Sequence, residues 1–410
     1  MSLAFGHTFL AIPGPSAMPE RVLRAMHRSS PNIYEGELVE MMPGLMTDLK
    51  RVARTDGHAA IYIANGHGGW EATLSNTLSR AKVLLLASGR FGPGWGAMAE
   101  AMGIEVATLD FGSRGPVDPA KVTEVLRAPG AEAYKAVLLV HTDTASSVRN
   151  NIMAVRNAID LAGHPALLMV DCIANLGCER MEMDEWGVDV LVTGSQKGLM
   201  TPPGLAFVFY NDKAAAAHET ADLVTSYWDW APRADPAYFY QRFCGTAPTH
   251  HLFGLREALD MLVHEEGVEA AWARHRVFAR AVWAAVEIWA EAGDLEPNIA
   301  DRAFRSNAVT TLRTRGDLGA RLRRWCQDEC GLTLGIGLGL DPGVTHADDL
   351  FRIGHMGHLN PHAIMGTLGV VEAGLGALGA RFGSGALGAA AAVIAEAVTA
   401  AQSKSAAAAE

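Results

Sequence analysis

The stretch VDVLVTGSQKG, residues 188–198, decides how the rest of the chain is read. Its first part is apolar and β-branched without strict alternation, as expected of a strand covered on both faces. It ends in Gly194-Ser195-Gln196-Lys197-Gly198, which sets a lysine between glycines at the carboxyl end of a buried strand. Lysine normally lies on a solvated face. Desolvation and nearby cations lower its pKa, and the neutral amine is then a nucleophile for carbonyl groups.

Similar runs recur at residues 60–64, 83–87, 104–108, 136–141, 167–171 and 205–210. Helix-like stretches separate many of them, at 70–80, 94–102, 119–127 and 151–162. This alternation predicts an α/β fold whose large domain is a mainly parallel sheet of seven strands between helices. After about residue 250 the pattern changes to long helices at 255–264 and 268–292, then an irregular stretch around Pro297. A strand at 308–312, a helix at 318–330, a strand at 350–353 and helices from Pro361 complete a smaller C-terminal α/β domain. The expected division is an N-terminal arm (1–16), a large domain (17–262) and a small domain (263–410).

Hydrophobic residues make up 49% of the 410 and charged residues 19%, so the composition is not that of a disordered chain. A net charge of −11 without a dense basic stretch argues against nucleic acid or an anionic membrane as partner. The five cysteines include no ligand pairs at zinc-like spacing, so no metal is expected and free thiols in a reducing cytoplasm are. Residues 1–20 lack the pattern of a signal peptide, and no apolar run of spanning length is expected. The Ala- and Gly-rich segment 383–401 carries Glu396 and reads as a docked helix, with a frayed tail from Ser403.

Sites in open α/β sheets gather beyond the carboxyl ends of the strands. There, after residues 61–64, stands Asn65-Gly66-His67-Gly68-Gly69, a Gly-rich turn into a helix that suits a phosphate. The run 167–170 ends in Asp171, a buried carboxylate that must be paired or strongly hydrogen-bonded. A carbonyl-trapping lysine, a carboxylate for a ring nitrogen and a phosphate cradle are together what pyridoxal 5′-phosphate (PLP) requires.

Three motifs in this order resemble the class V aminotransferases of PLP fold type I, most of all the alanine–glyoxylate and serine–glyoxylate enzymes. They are Gly194-Ser195-Gln196-Lys197-Gly198 with Pro202-Pro203-Gly204 after it, Val170-Asp171-Cys172-Ile173-Ala174-Asn175-Leu176-Gly177, and Phe351-Arg352-Ile353-Gly354-His355-Met356-Gly357. The resemblance runs from Ile12-Pro13-Gly14-Pro15 to the C-terminal helices. It implies that Lys197 bonds the cofactor and moves the substrate proton, while Asp171 keeps the pyridine nitrogen protonated. It also implies that Phe91 stacks on the ring, and that Asn65, Gly66, His67 and Gln196 serve the phosphate. Ser146, favoured over Thr144, would lie near the ring hydroxyl, and Arg352 would hold a substrate carboxylate with its planar fork. Thr246 fits a position that relatives send across a homodimer interface to the phosphate, and Tyr34 lies in a segment that would line the entrance.

The chain departs from the family at four places. Phe243 stands for a phosphate-binding Tyr, Ser147 for a Gly, Asp143 for a Glu, and Asn65-Gly66-His67 for a loop richer in Ser/Thr. The expected reaction moves the amino group of a small amino acid, such as alanine or serine, to a 2-oxo acid such as glyoxylate or pyruvate. Alternatives of the same fold are a pyridoxamine–pyruvate aminotransferase, a lyase or desulfurase, and a non-catalytic regulator. Gln196 stands where desulfurases carry His.

Overall fold

The computed structural model describes residues 2–340 and 346–409. Its strands are β1 (Phe9–Ala11), β2 (His58–Ala64), β3 (Lys82–Ala87), β4 (Glu105–Asp110), β5 (Tyr134–Val140), β6 (Leu167–Asp171), β7 (Val190–Gly194), β8 (Gly204–Tyr210), β9 (Leu295–Pro297), β10 (Val309–Thr314), β11 (Leu332–Ile336) and β12 (Leu350–Gly354). The seven expected strands form one sheet, in the order β2-β8-β7-β6-β5-β3-β4. All its pairs are parallel except the two made by β8.

Burial explains the continuous apolar runs. Leu84, Leu86, Val137, Leu139, Leu168 and Val170 enter the core on one face of this sheet. Their neighbours Val83, Leu85, Ala136, Leu138, Leu167 and Met169 enter a second core on the other. With both faces packed, polar alternation has no place in these strands.

A second sheet of five strands has the order β1-β11-β12-β10-β9. Three of these strands, β1, β9 and β11, were not expected from sequence. Two have only three residues, and β11 contains Gly335. The N-terminal arm therefore ends up in the sheet of the C-terminal half, Phe9 pairing with Leu332 and Ala11 with Leu334. Helix Val268–Ala290 passes from one core to the other: Ala271 and Trp272 pack with the large sheet, Phe278 to Trp289 with the small one.

One expectation needs correction. Helix Ala386–Ala409 contains an 18-residue window, Ala386–Ser403, that is long and apolar enough to cross a membrane by length and composition. Much of that apolarity is alanine. In the fold this helix packs on Val268–Ala290, with Ala386 and Ala390 in the core beside Val286 and Trp289.

Candidate active site

The carboxyl ends of β2, β5, β6 and β7 surround a cavity of about 260 Å³. Asn65, Gly66, His67, Phe91, Asp171, Gln196 and Lys197 all line it, so the structure brings seven of the expected residues together. Thr142, Thr144 and Trp70 share the wall.

Lys197 leaves the end of β7 and donates a short hydrogen bond to the Pro13 carbonyl. The arm thus closes over it: Ser16 N–H donates to Gln196 O (2.9 Å) and Ser16 Oγ to Lys197 O (2.8 Å). Only glycine fits at position 14, where φ is +97° and a Cβ would lie 2.4 Å from Lys197 Nζ. Burial, then the Arg352 charge, brings the ammonium down from 10.5 to about 8. Proton transfer near neutral pH is thereby eased.

Asp171 ends β6 and is buried. Its Oδ1 accepts from Ile173 N–H (2.7 Å) and its Oδ2 from the Trp70 indole N–H (2.9 Å). Burial outweighs both bonds and raises the carboxyl from 3.8 to about 7. Two neutral donors do not meet the demand of a buried carboxylate, and a cation at the cavity would.

The turn after β2 enters helix Gly66–Thr77 with Asn65 as its N-cap. Asn65 Oδ1 accepts from His67 N–H (3.1 Å) and Gly68 N–H (3.4 Å). The His67 N–H is therefore already engaged. Among the described residues the Gly66 N–H has no partner. Gly66 is packed tightly enough that a Cβ would meet Ile173 Cδ1 at 2.3 Å. Opposite, Gln196 Oε1 is buried without a hydrogen-bond partner. The free N–H at a helix start and the cation-demanding carboxylate fit a phosphorylated pyridine aldehyde.

Ser146 is not part of the cavity wall. Its hydroxyl donates to Asp143 Oδ1 (3.0 Å) and accepts from Val148 N–H (3.2 Å). Thr144 lines the cavity instead, and its hydroxyl has no hydrogen-bond partner among the described residues. Asp143, met in the sequence only as a replacement for the family's Glu, has a role that sequence reading did not assign. This fully buried carboxylate accepts from the N–H groups of Arg90 (2.8 Å), Phe91 (2.7 Å), Ala145 (3.0 Å) and Ser146 (2.8 Å). It clamps the Phe91 turn to the β5 loop. At Gly89 a Cβ would lie 2.4 Å from Asp143 Cγ. Asp143→Ala is expected to cost about 3 kcal/mol or more, because several buried N–H groups lose their acceptor. A urea denaturation midpoint within error of wild type would refute the clamp.

Ser147 has φ +63°, the left-handed conformation that suits the family's glycine. Its Oγ accepts from Thr311 N–H (3.2 Å), which gives the serine a use there. Phe243 is 1% exposed and packs edge-on to Phe239 in the core, so its ring does not face the cavity.

Arg352, on β12, is buried; Nε donates to Ile336 O (2.7 Å) and Nη1 to Thr144 O (2.8 Å). Nη2 has no partner among the described residues. Burial lowers the guanidinium to about 10, still a cation at neutral pH. Tyr34 is 81% exposed and Thr246 is exposed; neither reaches the cavity within one chain.

A doubly wound sheet with a desolvated lysine and a cation-demanding aspartate at its carboxyl edge defines a PLP-dependent fold type I enzyme. Comparison with known proteins narrows this. The family described as Aminotransferase class-V matches residues 91–303. The serine–glyoxylate aminotransferase of Methylorubrum extorquens is 37% identical, over 90% of this chain and 91% of its own. The ureidoglycine–glyoxylate aminotransferase of Bacillus subtilis superposes with a TM-score of 0.84 at 26% identity, covering 96% of this chain and 100% of its own. The pyridoxamine–pyruvate aminotransferase of Mesorhizobium loti also gives 0.84, at 25% identity, covering 97% and 100%. The chain belongs to the class V aminotransferases, and as such is a PLP-dependent transaminase.

Proposed function

We propose that this enzyme moves the amino group of a small amino acid, alanine, serine or similar, to glyoxylate or pyruvate. The observation that carries the reading is the convergence of Lys197 and Asp171 on one cavity, with the cation Arg352 just behind its wall, donating to the carbonyl of Thr144 and acting on the Lys197 charge. PLP supplies an electron sink for the bonds at the substrate's α-carbon. Lys197 accepts the α-proton and returns it on the other side of the transfer, a role suited by its lowered pKa. Asp171 holds the ring nitrogen's proton, and Trp70 and Ile173 fix that carboxylate's direction. Gly66 N–H and the Gln196 amide N–H would serve the phosphate, with Asn65 and His67 shaping the turn. Phe91 would cover the ring and Thr144 would meet its hydroxyl, while the free edge of Arg352 would take the substrate carboxylate.

The relatives' names, with donors as different as serine, ureidoglycine and pyridoxamine, support the reaction type more than any donor. A second reading, pyridoxamine–pyruvate transfer, draws on the buried Phe243 ring and on the 0.84 superposition. The unengaged Gly66 N–H at the helix start, a donor suited to a phosphate, weighs against it. We also propose a cytoplasmic homodimer in which Thr246 reaches the partner's phosphate site, built from an arm (1–16), a large domain (17–262) and a small domain (263–410).

Half-reactions test the proposal. PLP-loaded protein is mixed with alanine, serine or aspartate and the cofactor's absorbance is followed; cofactor-free protein is mixed with pyridoxamine and pyruvate. Conversion by alanine or serine is expected, with kcat/KM falling roughly 100-fold in Arg352→Ala. Turnover of pyridoxamine alone would replace the first reading by the second. Silence toward every amine would reject both.

A further inference from the structure

Four consecutive carbonyls of the loop that follows β5 are each taken by a donor from the second sheet. Thr144 O accepts from Arg352 Nη1 (2.8 Å), Ala145 O from Thr311 Oγ1 (2.9 Å), Ser146 O from Asn298 Nδ2 (2.8 Å) and Ser147 O from Ser306 N–H (3.1 Å). Arg352 lies on β12 and Thr311 on β10, while Asn298 directly follows β9. These strands are neighbours in the order β12-β10-β9, so the loop runs across them with one carbonyl for each. On its other side the loop gives the N–H groups of Ala145 and Ser146 to Asp143. Loops ordinarily leave such groups to water. Here residues 144–147 are all buried, and their donors and acceptors are fixed from both sides.

Thr311 is the partner of Arg352 in the β10–β12 register, so the two side chains leave the sheet on the same face. They bond successive carbonyls of the loop, and Thr311 N–H also donates to Ser147 Oγ (3.2 Å). Asn298 supports Thr311 from the next strand, its N–H donating to Thr311 O (2.9 Å). Its Oδ1 accepts from Arg313 Nε (2.6 Å), and its Nδ2 serves Ser113 O (2.8 Å) as well as Ser146 O. Neither Thr311 nor Asn298 lines the catalytic cavity. Both hold the loop whose Thr144 side chain does. Drawing the second sheet back from the cavity would strip the donors from four buried carbonyls, so Arg352 and the wall in front of it form one unit.

We propose that Thr311, supported by Asn298, is a positioning residue for the amino-group transfer. Its hydroxyl on Ala145 O holds the loop at the distance where the free edge of Arg352 meets a substrate carboxylate. This rests on the reading of Arg352 as the carboxylate's partner. A guanidinium reads a carboxylate through two parallel bonds, and a displacement of about 1 Å spoils both. The carboxylate is held alike before and during the reaction, so a misplaced Arg352 raises KM and leaves kcat nearly unchanged.

Thr311→Val keeps the shape of the side chain and the backbone N–H while deleting the hydroxyl. With alanine or serine as donor, KM is expected to rise about tenfold, with kcat within about twofold of wild type. Thr311→Ser, which restores the donor, should return KM to within about twofold of wild type. PLP content and absorbance should be the same in all three proteins. The decisive measurement combines Thr311→Val with Arg352→Ala. The second change removes the group through which the first acts, so the pair should have the kcat/KM of Arg352→Ala alone. A tenfold effect persisting in that background, or an unchanged KM in folded Thr311→Val, would overturn the positioning role and leave the reading of Arg352 standing. Wild-type KM in Arg352→Ala would overturn both. If Thr311→Val does not fold, Thr311→Ala carries the same comparison.

Discussion

Lys197→Ala is expected to lower transamination by roughly 1,000-fold or more, the scale set by losing both the covalent anchor and the proton carrier. The fold should survive. The lysine's amine makes its hydrogen bond to the Pro13 carbonyl, and truncation opens space beside Gly14 rather than closing it. Borohydride reduction followed by peptide mass spectrometry distinguishes loss of anchoring from loss of folding. Wild type should carry the reduced cofactor on the peptide containing Lys197, and the variant should carry none there. A variant that still fixes the cofactor with borohydride would mean that another amine does the work.

Asp171→Asn is expected to lower kcat by about 100- to 1,000-fold, since a neutral amide cannot balance a protonated ring nitrogen in a buried site. The same variant makes a prediction about protein free of cofactor. Burial raises the carboxyl of Asp171 in the folded protein to about 7, above its ordinary value of 3.8. The folded chain therefore holds this proton more tightly than the unfolded chain between those values. Stability from this group is present below about pH 4, falls as pH rises toward 7, and is flat above. Asparagine does not titrate, so that slope should vanish in the variant, although the lost acceptor for Trp70 lowers its stability at every pH. Parallel profiles of denaturation midpoint against pH for the two proteins would show that Asp171 is not the group concerned.

The seven-stranded sheet was legible because both its faces are packed, and a doubly covered strand leaves a continuous apolar run in the sequence. Lys197 and Asp171 were legible for a related reason: a charge directly after such a run has nowhere to go but the strand's end. The arm's strand was not, because three residues carry no periodicity and its partner lies in β11. The roles of Trp70 and Asp143 were not legible, since they exist only once distant segments meet. An indole and a carboxylate 101 residues apart share one hydrogen bond, and one aspartate gathers N–H groups from two loops. The choice between Thr144 and Ser146 turned on a local matter, the direction of Asp143, which draws the serine away from the cavity.

The pairing of residues 9 and 332 bears on how the protein is made. Synthesis proceeds from the N-terminus, and domains tend to fold as they emerge. The large sheet can assemble once β8 has left the ribosome, yet the strand that leads into Pro13 and Gly14 must wait for β11. Until then the lysine amine lacks its carbonyl lid and Arg352 has not been translated. A nascent chain stalled near residue 300 would thus hold a formed sheet and an unfinished catalytic centre, so that competence arrives with the last quarter of translation.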